Sequence, residues 1–298
     1  MIPTLEHVNC AVCGDDDTRV VYRKQASSGH TYSIVQCRHC GLAYVNPRLS
    51  QETILGTYRD PSYFQRGAAQ FTGYSDYTAD RELHELFFRG QLARLERRGG
   101  TGKILDVGCA FGYLLNEARR RGWEVQGIEL SGNAIAYARD ELQLPVREVP
   151  LREAGFPAES FTAVVMNDVI EHYGDPAAEL REVHRVLARG GALMLHTPNF
   201  DSWWRLWMRS QWVHLKPEEH LYYFAPATIT RLLANSGFAV AHARACGKTT
   251  NLNYILGVLK KYSPAAAAGA RHTLGRLPWA RTPFHFRGGG MEILALKR

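Results

Sequence analysis

Acidic residues are nearly absent from the last quarter of this 298-residue chain. From Leu221 to the C-terminus there is one, Glu292, against eleven lysines and arginines. The whole chain has 36 basic and 29 acidic residues and a formal charge of +7, so the tail carries +10 and the remainder −3. This asymmetry excludes a uniformly basic coat for nucleic acid and leaves room for a local basic surface. No window reaches the roughly eighteen uncharged apolar residues of a spanning helix. No N-terminal stretch joins a charged start to an apolar run, so no secretory signal is expected, and the protein is expected to be soluble and cytoplasmic. No internal repeat is present. Hydrophobic residues make up 45%, too many for a disordered chain and enough for a sizeable core.

Cysteine is sparse, yet four of the six cysteines form two knuckles, Cys10-x-x-Cys13-Gly14 and Cys37-x-x-Cys40-Gly41, separated by 23 residues. Without an export signal, such pairs read as metal ligands rather than a disulfide framework. Four thiolates complete a tetrahedral zinc shell and leave no open position, so the site is expected to be structural. Spacing does not separate zinc from iron here. A segment of about fifty residues folds poorly on a hydrophobic core alone, which gives the metal a purpose. Cys109 and Cys246 are expected to be buried small residues.

Residues 1–48 read as this ribbon, with short strands at Arg19–Arg23 and Thr31–Gln36. Residues 49–100 read as an aromatic-rich helical lid or linker, with a helix over Ala79–Arg98. From residue 101 to 298 short apolar runs alternate with amphipathic stretches. Strands are predicted at Lys103–Val107, Glu124–Leu130, Pro145–Val149, Phe161–Asn167, Ala192–Thr197, Ala239–Cys246 and Met291–Lys297. Helices are predicted at Gly112–Arg121, Gly132–Leu142 with Ser131 as N-cap, Ala177–Ala188 closed by Gly190-Gly191, and Pro226–Ser236. That alternation predicts an α/β fold with a doubly wound, Rossmann-like sheet. Two insertions stand out, residues 201–224 and 248–287. Pro264–Ala270 is a low-complexity patch placed in a loop or at a helix end.

The stretch Leu105-Asp106-Val107-Gly108-Cys109-Ala110-Phe111-Gly112 carries a strand into a helix through a glycine-rich turn. Glycines there permit unusual dihedrals and close approach of a ligand. A second strand ends about twenty residues on at Glu129-Leu130-Ser131, where an acidic side chain can accept both hydroxyls of a ribose. With Asn167-Asp168-Val-Ile-Glu171-His172-Tyr-Gly-Asp175-Pro176 after the fourth strand, the chain resembles the class I S-adenosylmethionine-dependent methyltransferases over roughly residues 101–298. The family's middle glycine is Ala110 here. The resemblance implies that Glu129 holds the ribose, with Leu130 beside it. It places Gly108, Ala110 and Gly112 along the methionine part, Glu148 near the adenine and Asn167 at the cofactor edge. Asp106 either orders the turn or touches the cofactor, and Tyr74 is the aromatic chosen as cofactor-proximal.

Methyl transfer needs in-line alignment and, for hydroxyl or carbon acids, a base near the C-terminal ends of the strands. His172 and His220 stand there, the latter in Glu218-Glu219-His220-Leu-Tyr222-Tyr223-Phe224. Ribbon and "EHxxYF" stretch together are similar to the deoxysugar C-methyltransferases, which implies active-site roles for Glu219, His220 and His172. The chain is too short for the extra C-terminal domain of those enzymes, so their sugar specificity does not transfer. Structural roles stay open: His172 stabilising its own turn, His220 bonding the loop. The expected acceptor is a sugar, glycolipid or natural-product intermediate, methylated at oxygen or carbon and anionic if the basic 248–287 stretch faces it. The Trp203–Trp212 stretch suits an amphipathic helix with an aromatic face, a lid or a peripheral membrane contact. No DNA partner is expected. The alternatives are an RNA methyltransferase with an N-terminal zinc site, favoured by the basic tail but not by the ribbon's charge, and a cofactor-binding protein without catalysis.

Overall fold

The computed structural model describes residues 4–26, 28–59, 81–259, 263–274 and 277–298. Tyr63, Phe64, Tyr74 and Tyr77, the aromatics of the 49–100 stretch read as a lid over the site or as packing between the ribbon and the main domain, lie outside the described residues. Strands β1 (Leu5–Glu6) to β5 (Arg48–Leu49) occupy the N-terminal segment, with β2 (Thr18–Gln25), β3 (Thr31–Cys37) and β4 (Ala43–Val45) in antiparallel succession between them. Helix α1 (Gln51–Arg59) and helix α2 (Arg81–Gly99) follow, and then β6 (Lys103–Val107) opens the alternating part. Its turn leads into α3 (Tyr113–Arg120), and β7 (Glu124–Glu129) leads into α4 (Gly132–Asp140). After β8 (Val146–Glu148) comes β9 (Phe161–Asn167) and α5 (Pro176–Val186). Asp175 caps α5 by accepting the Ala178 N–H at 2.9 Å, and Pro176 enters the first turn, where its missing donor costs nothing.

The expected closure of this helix by Gly190-Gly191 does not occur. Leu187 is fully buried and pairs with Phe161, so the chain leaves the helix there and enters β10 (Leu187–Pro198); the two glycines fall in a bulge of that strand. The aromatic stretch likewise forms only a short helix, α6 (Trp203–Met208), and the following β11 (Tyr222–Tyr223) is two residues long. Helix α7 (Pro226–Asn235) precedes β12 (Phe238–Thr250). The described residues of the second insertion include α8 (Leu252–Leu259) and α9 (Pro264–Thr273), so Pro264–Ala270 lies at a helix end, opening α9 and forming most of it, rather than in a loop. Strand β13 (Phe284–Lys297) completes the chain.

Seven of the described strands form the main sheet in the order β12-β13-β10-β9-β6-β7-β8. Neighbours from β10 through β8 are parallel, whereas β13 runs antiparallel to both β10 and β12. The strand period of two sends Val164 and Met166 to one core, with α5 and α7, and Ala163 and Val165 to the other, with α2, α3 and α4. The N-terminal residues Cys10, Ile34, Leu42 and Val45 belong to the first core, so the ribbon packs on the α5/α7 face.

The tail's single carboxylate serves as a clamp. Glu292 on β13 is 2% exposed, accepts Arg94 Nη2 of α2 at 2.5 Å and Arg244 Nη2 of β12 at 3.0 Å. Removing one member of a buried ion pair strands the others' charge. Glu292→Gln is expected to destabilise the fold by about 2–3 kcal/mol, less than for a wholly buried pair because Arg244 reaches solvent. Urea unfolding of the two proteins measures this, and an unchanged midpoint would show that α2 is held by apolar packing alone.

Candidate functional site

The ends of β6 and β7 are built around one carboxylate. Gly108 and Gly112 both adopt positive φ, +70° and +77°, and a Cβ on either would press within 2.8 Å of Val169 or 2.5 Å of Leu144. Only glycine fits both the dihedral and the space. Between them Ala110 also takes a left-handed conformation, φ 46°, which costs an L-residue roughly 1–2 kcal/mol. The methyl group at the family's glycine position is therefore borne under strain. Glu129 offsets that strain: its Oε2 accepts the Ala110 N–H at 2.8 Å, and its Oε1 accepts the Leu130 and Ser131 N–H groups at 2.7 and 3.0 Å. Asp106 accepts no hydrogen bond from the turn among the described residues, so Glu129, not Asp106, orders the backbone here.

These groups fit a cationic, ribose-bearing ligand. Glu129 spends three lone-pair directions on backbone and keeps one for a hydroxyl. Ser131 occupies the N-cap position of α4 as expected but makes no cap bond, and its buried Oγ has no partner among the described residues. Burial, then the charge of Glu129, pushes the Asp106 carboxyl up to about 8, and burial also raises Glu129 against the pull of its three N–H donors. Two buried carboxyls with no cation between them among the described residues suit the sulfonium and ammonium groups of S-adenosylmethionine. Glu148 lies beside Glu129 in register on the next strand and is exposed, open to an adenine. Asn167, at the end of β9, exchanges two hydrogen bonds with Gln91 of α2, at 2.9 and 3.0 Å, so its amide is engaged with that helix. Tyr74 lies outside the described residues.

Beyond β9 and β10 stands a second cluster. The segment after β9 turns at Asp168, φ 52°, and forms a short helical turn, Ile170–His172. His172 Nδ1 lies 2.8 Å from the Glu219 carbonyl and His220 Nδ1 lies 2.9 Å from the His214 carbonyl. A carbonyl only accepts, so each Nδ1 carries the proton and each Nε2 is the acceptor nitrogen. The two rings meet edge to face, 4.8 Å between centroids. Desolvation lowers His172 to about 4, and desolvation with the neighbouring His172 and Lys216 holds His220 well below the usual imidazole range. Both rings are neutral near pH 7. Glu219 is buried 3.6 Å from Lys216 Nζ, and its backbone carbonyl touches His172.

Two groups here escape a sequence reading. Glu171 is 1% exposed, accepts the Thr197 hydroxyl at 2.9 Å on one oxygen and has no hydrogen-bond partner on the other among the described residues. Burial, then Asp168, pushes its carboxyl up to about 8. His196, deep in the apolar run of β10, pairs with Asp168 at 2.8 Å; burial opposes its charge, but Asp168 and then Cys246 carry it up to about 10. The signal for His196 is a polar residue inside Leu193-Met194-Leu195-His196-Thr197, which pattern rules read as an exposed strand end.

The cysteine cluster fits a metal. All four Sγ atoms lie within 4.8 Å of one another, with Cys10–Cys40 at 3.3 Å and Cys13–Cys37 at 3.5 Å. Those separations exceed a disulfide bond and lie close to the roughly 3.8 Å edge of a tetrahedron with Zn–S near 2.3 Å. Gly14 and Gly41 close the two knuckles by donating to the Cys10 and Cys37 carbonyls. Cys109 and Cys246 are buried free thiols, as expected. The ribbon reaches the histidine cluster directly. Its sheet has the order β11-β4-β3-β2, so β11, two residues after His220, pairs with β4 through Tyr222↔Tyr44 and Tyr223↔Ala43. Leu221 donates to the Glu171 carbonyl and accepts from Val45, both at 2.9 Å.

A methyltransferase-domain family model matches residues 73–243, more than half of the chain. The chain belongs to that family. It is 35% identical over 103 residues to the ubiquinone biosynthesis O-methyltransferase of Alkalilimnicola ehrlichii, covering 33% of this chain and 42% of that protein. The corresponding protein of Pseudomonas paraeruginosa is 33% identical over 115 residues, with 35% and 48% covered. The matched region thus spans less than half the length of these curated relatives. A solved S-adenosylmethionine-dependent methyltransferase of Archaeoglobus fulgidus superposes with a TM-score of 0.50 at 17% identity, over 73% of this chain and 94% of that one, a likeness of fold. The chain thus carries a methyltransferase domain on a Rossmann-like sheet. None of the described helices is long and apolar enough to cross a membrane.

Two measurements test these groups. A cationic cofactor favours ionised Asp106, so affinity for S-adenosylmethionine should fall on the order of tenfold per unit as pH drops from 7.5 to 6. In Asp106→Asn this dependence should flatten; calorimetry showing a flat wild-type profile would remove Asp106 from the cofactor site. Metal analysis should find about one zinc per chain, and Cys37→Ser should lower turnover as well as stability through β4 and β11. Full activity in a folded, zinc-free protein would uncouple the ribbon from the site.

Proposed function

We propose that the enzyme transfers the methyl group of S-adenosylmethionine to oxygen or carbon of a small-molecule acceptor, a sugar, glycolipid or natural-product intermediate, seated against His172 and His220. The observation that carries this is the placement of two neutral imidazoles, both tautomers fixed by backbone carbonyls, beside the glycine turn. Val169 links the two, because its side chain packs on Gly108 while its segment delivers His172. The curated relatives are O-methyltransferases by name, which favours oxygen over carbon.

Each residue has a part in the proposal. Glu129 holds a ribose hydroxyl, Gly108, Ala110 and Gly112 let the methionine part lie on the backbone, Asp106 faces its positive charge, and Leu130 and Glu148 flank the adenine. Asn167 supports the cofactor edge through its tie to Gln91. When bound, the cofactor supplies an electrophilic methyl on a sulfonium. The acceptor's proton passes to an imidazole Nε2, His220 being the deeper of the two, and the freed electron pair bonds the methyl carbon as the S–CH3 bond breaks. Glu219 positions His172 through its carbonyl and anchors Lys216.

Helix α6 supports an acceptor with an apolar part. Trp203, Leu206 and Trp207 are exposed by 60, 59 and 72%, while Trp204 packs on Phe286 and Trp212 is buried against Phe200. The expected aromatic face therefore points to solvent over a short helix, an arrangement suited to a lipid surface. The basic side chains Lys248, Lys260, Lys261, Arg271, Arg276, Arg281 and Arg287, expected to face an anionic acceptor, lie outside the described side chains. His220→Ala should reduce turnover by roughly 10²-fold or more with cofactor affinity retained. Near-normal rates on any methylated acceptor found by mass spectrometry would return His220 to a structural role in its loop.

A further inference from the structure

We propose that Glu171, His172 and His220 form a second metal site, which takes a divalent first-row transition ion and presents it to a hydroxyl of the acceptor. One ligand atom from each of the three residues lies within 4.8 Å of the other two. Two imidazoles and one carboxylate form the donor set of open zinc sites and of non-haem iron(II) sites, which keep positions for substrate. A tetrahedral ion with ligands at about 2.1 Å needs ligand separations of about 3.4 Å, which a small movement of the three side chains supplies.

The surroundings are those of a metal site. Ligand histidines nearly always donate their second nitrogen to a carbonyl or carboxylate, which fixes the tautomer. His172 does so to the Glu219 carbonyl and His220 to the His214 carbonyl, at 2.8 and 2.9 Å. Ligand carboxylates are hydrogen-bonded in turn, and Glu171 Oε2 accepts from Thr197 at 2.9 Å. Its Oε1 is buried with no hydrogen-bond partner among the described residues, an acceptor that a buried site does not ordinarily leave unused. Lys216 is the nearby cation, and Glu219 pairs with it at 3.6 Å.

The assignment rests on the acceptor lying at this cluster but changes what the imidazoles do. As ligands they hold the ion, and the ion rather than an imidazole lone pair lowers the acceptor's pKa. The hydroxyl proton then leaves to water. The oxygen pair on the metal forms the new O–CH3 bond, and the S–CH3 pair stays on sulfur. A metal-bound hydroxyl directs the chemistry to oxygen, and an acceptor with two adjacent oxygens would chelate the ion through its open positions.

Manganese(II) tests the site, because thiolates select softer ions and the four-cysteine shell of the ribbon, kept filled with zinc, does not compete for it. Electron paramagnetic resonance of free Mn2+ should show about one ion bound per wild-type chain. Binding should weaken at least tenfold in Glu171→Gln and in His220→Ala and stay unchanged in Trp207→Ala. Where a variant fails to fold, nitrogen couplings from two imidazoles in the bound wild-type spectrum report the same ligands. No bound Mn2+ at millimolar free ion, equal binding by the folded variants, or a spectrum without nitrogen coupling would overturn the proposal. Those results would leave the methyltransferase reading intact, since that stands on cofactor binding and turnover; turnover that survives exhaustive chelation with the ribbon's zinc retained would overturn the metal's part in the reaction.

Discussion

The Glu129 carboxylate is the constraint on which the rest of the site depends. A buried anion at the end of β7 is costly unless it is hydrogen-bonded, and it is satisfied by three backbone N–H groups. Those bonds hold the turn after β6 against the start of α4. They also stabilise Ala110 in a left-handed conformation that its Cβ disfavours. With the turn fixed, Gly108 admits Val169, and the segment that carries Glu171 and His172 follows. The order of causes runs from one charge to the backbone, and from the backbone to the second cluster. The buried Glu129, with Asp106 beside it able to ionise against a cation, accounts for a cationic cofactor better than the glycines do.

The ribbon enters this chain of dependence from the opposite side. Its four-stranded sheet is incomplete without β11, and β11 continues directly from His220. Arg48 adds a side-chain tie, donating to the Tyr222 hydroxyl at 2.8 Å and to the Gly174 carbonyl at 3.0 Å. A metal bound by the four cysteines would therefore stiffen more than its own fifty residues. It would fix one edge of the loop that presents His220, and Asn235 of α7, bonded to the Val12 carbonyl, braces the knuckle from behind. The four-cysteine cluster and the loop that presents His220 are thus tied through one sheet.

Much of this was legible in the sequence where the signal was local. Strand and helix periodicity located β6, β7, β9 and α5 within a few residues, and the four knuckle cysteines do converge. What escaped was decided by partners far along the chain. Leu187 is a plausible helix residue until Phe161 pairs with it, and no local rule announces that. The Trp203–Trp212 run has helical spacing, yet the helix stops at Met208 and Trp212 turns in against Phe200. The resemblance left Asp106 either ordering the turn or touching the cofactor, and of the turn's side-chain hydrogen bonds the one to Ala110 goes to Glu129, nineteen residues away. The antiparallel β13 and the extension of β12 into the second insertion are likewise products of cross-strand pairing.

The uneven charge has a structural side that bears on how the tail is read. Its one acidic residue is not a surface residue diluting a basic patch, since Glu292 is buried beneath Arg94 and Arg244. Arg244 is therefore committed to the sheet and to α2, and Lys297 to the sheet, donating to the Leu187 carbonyl at 2.7 Å. Both cations belong to the fold's own electrostatics rather than to an acceptor. What the tail can offer an incoming anion is correspondingly narrower than +10, and it is concentrated in residues 248–287. Electrostatic attraction from such a basic stretch acts over roughly 8–10 Å at physiological salt. It would bias which acceptor arrives, while in the proposed site the choice of atom to be methylated would lie with Glu171, His172 and His220 at the other cluster.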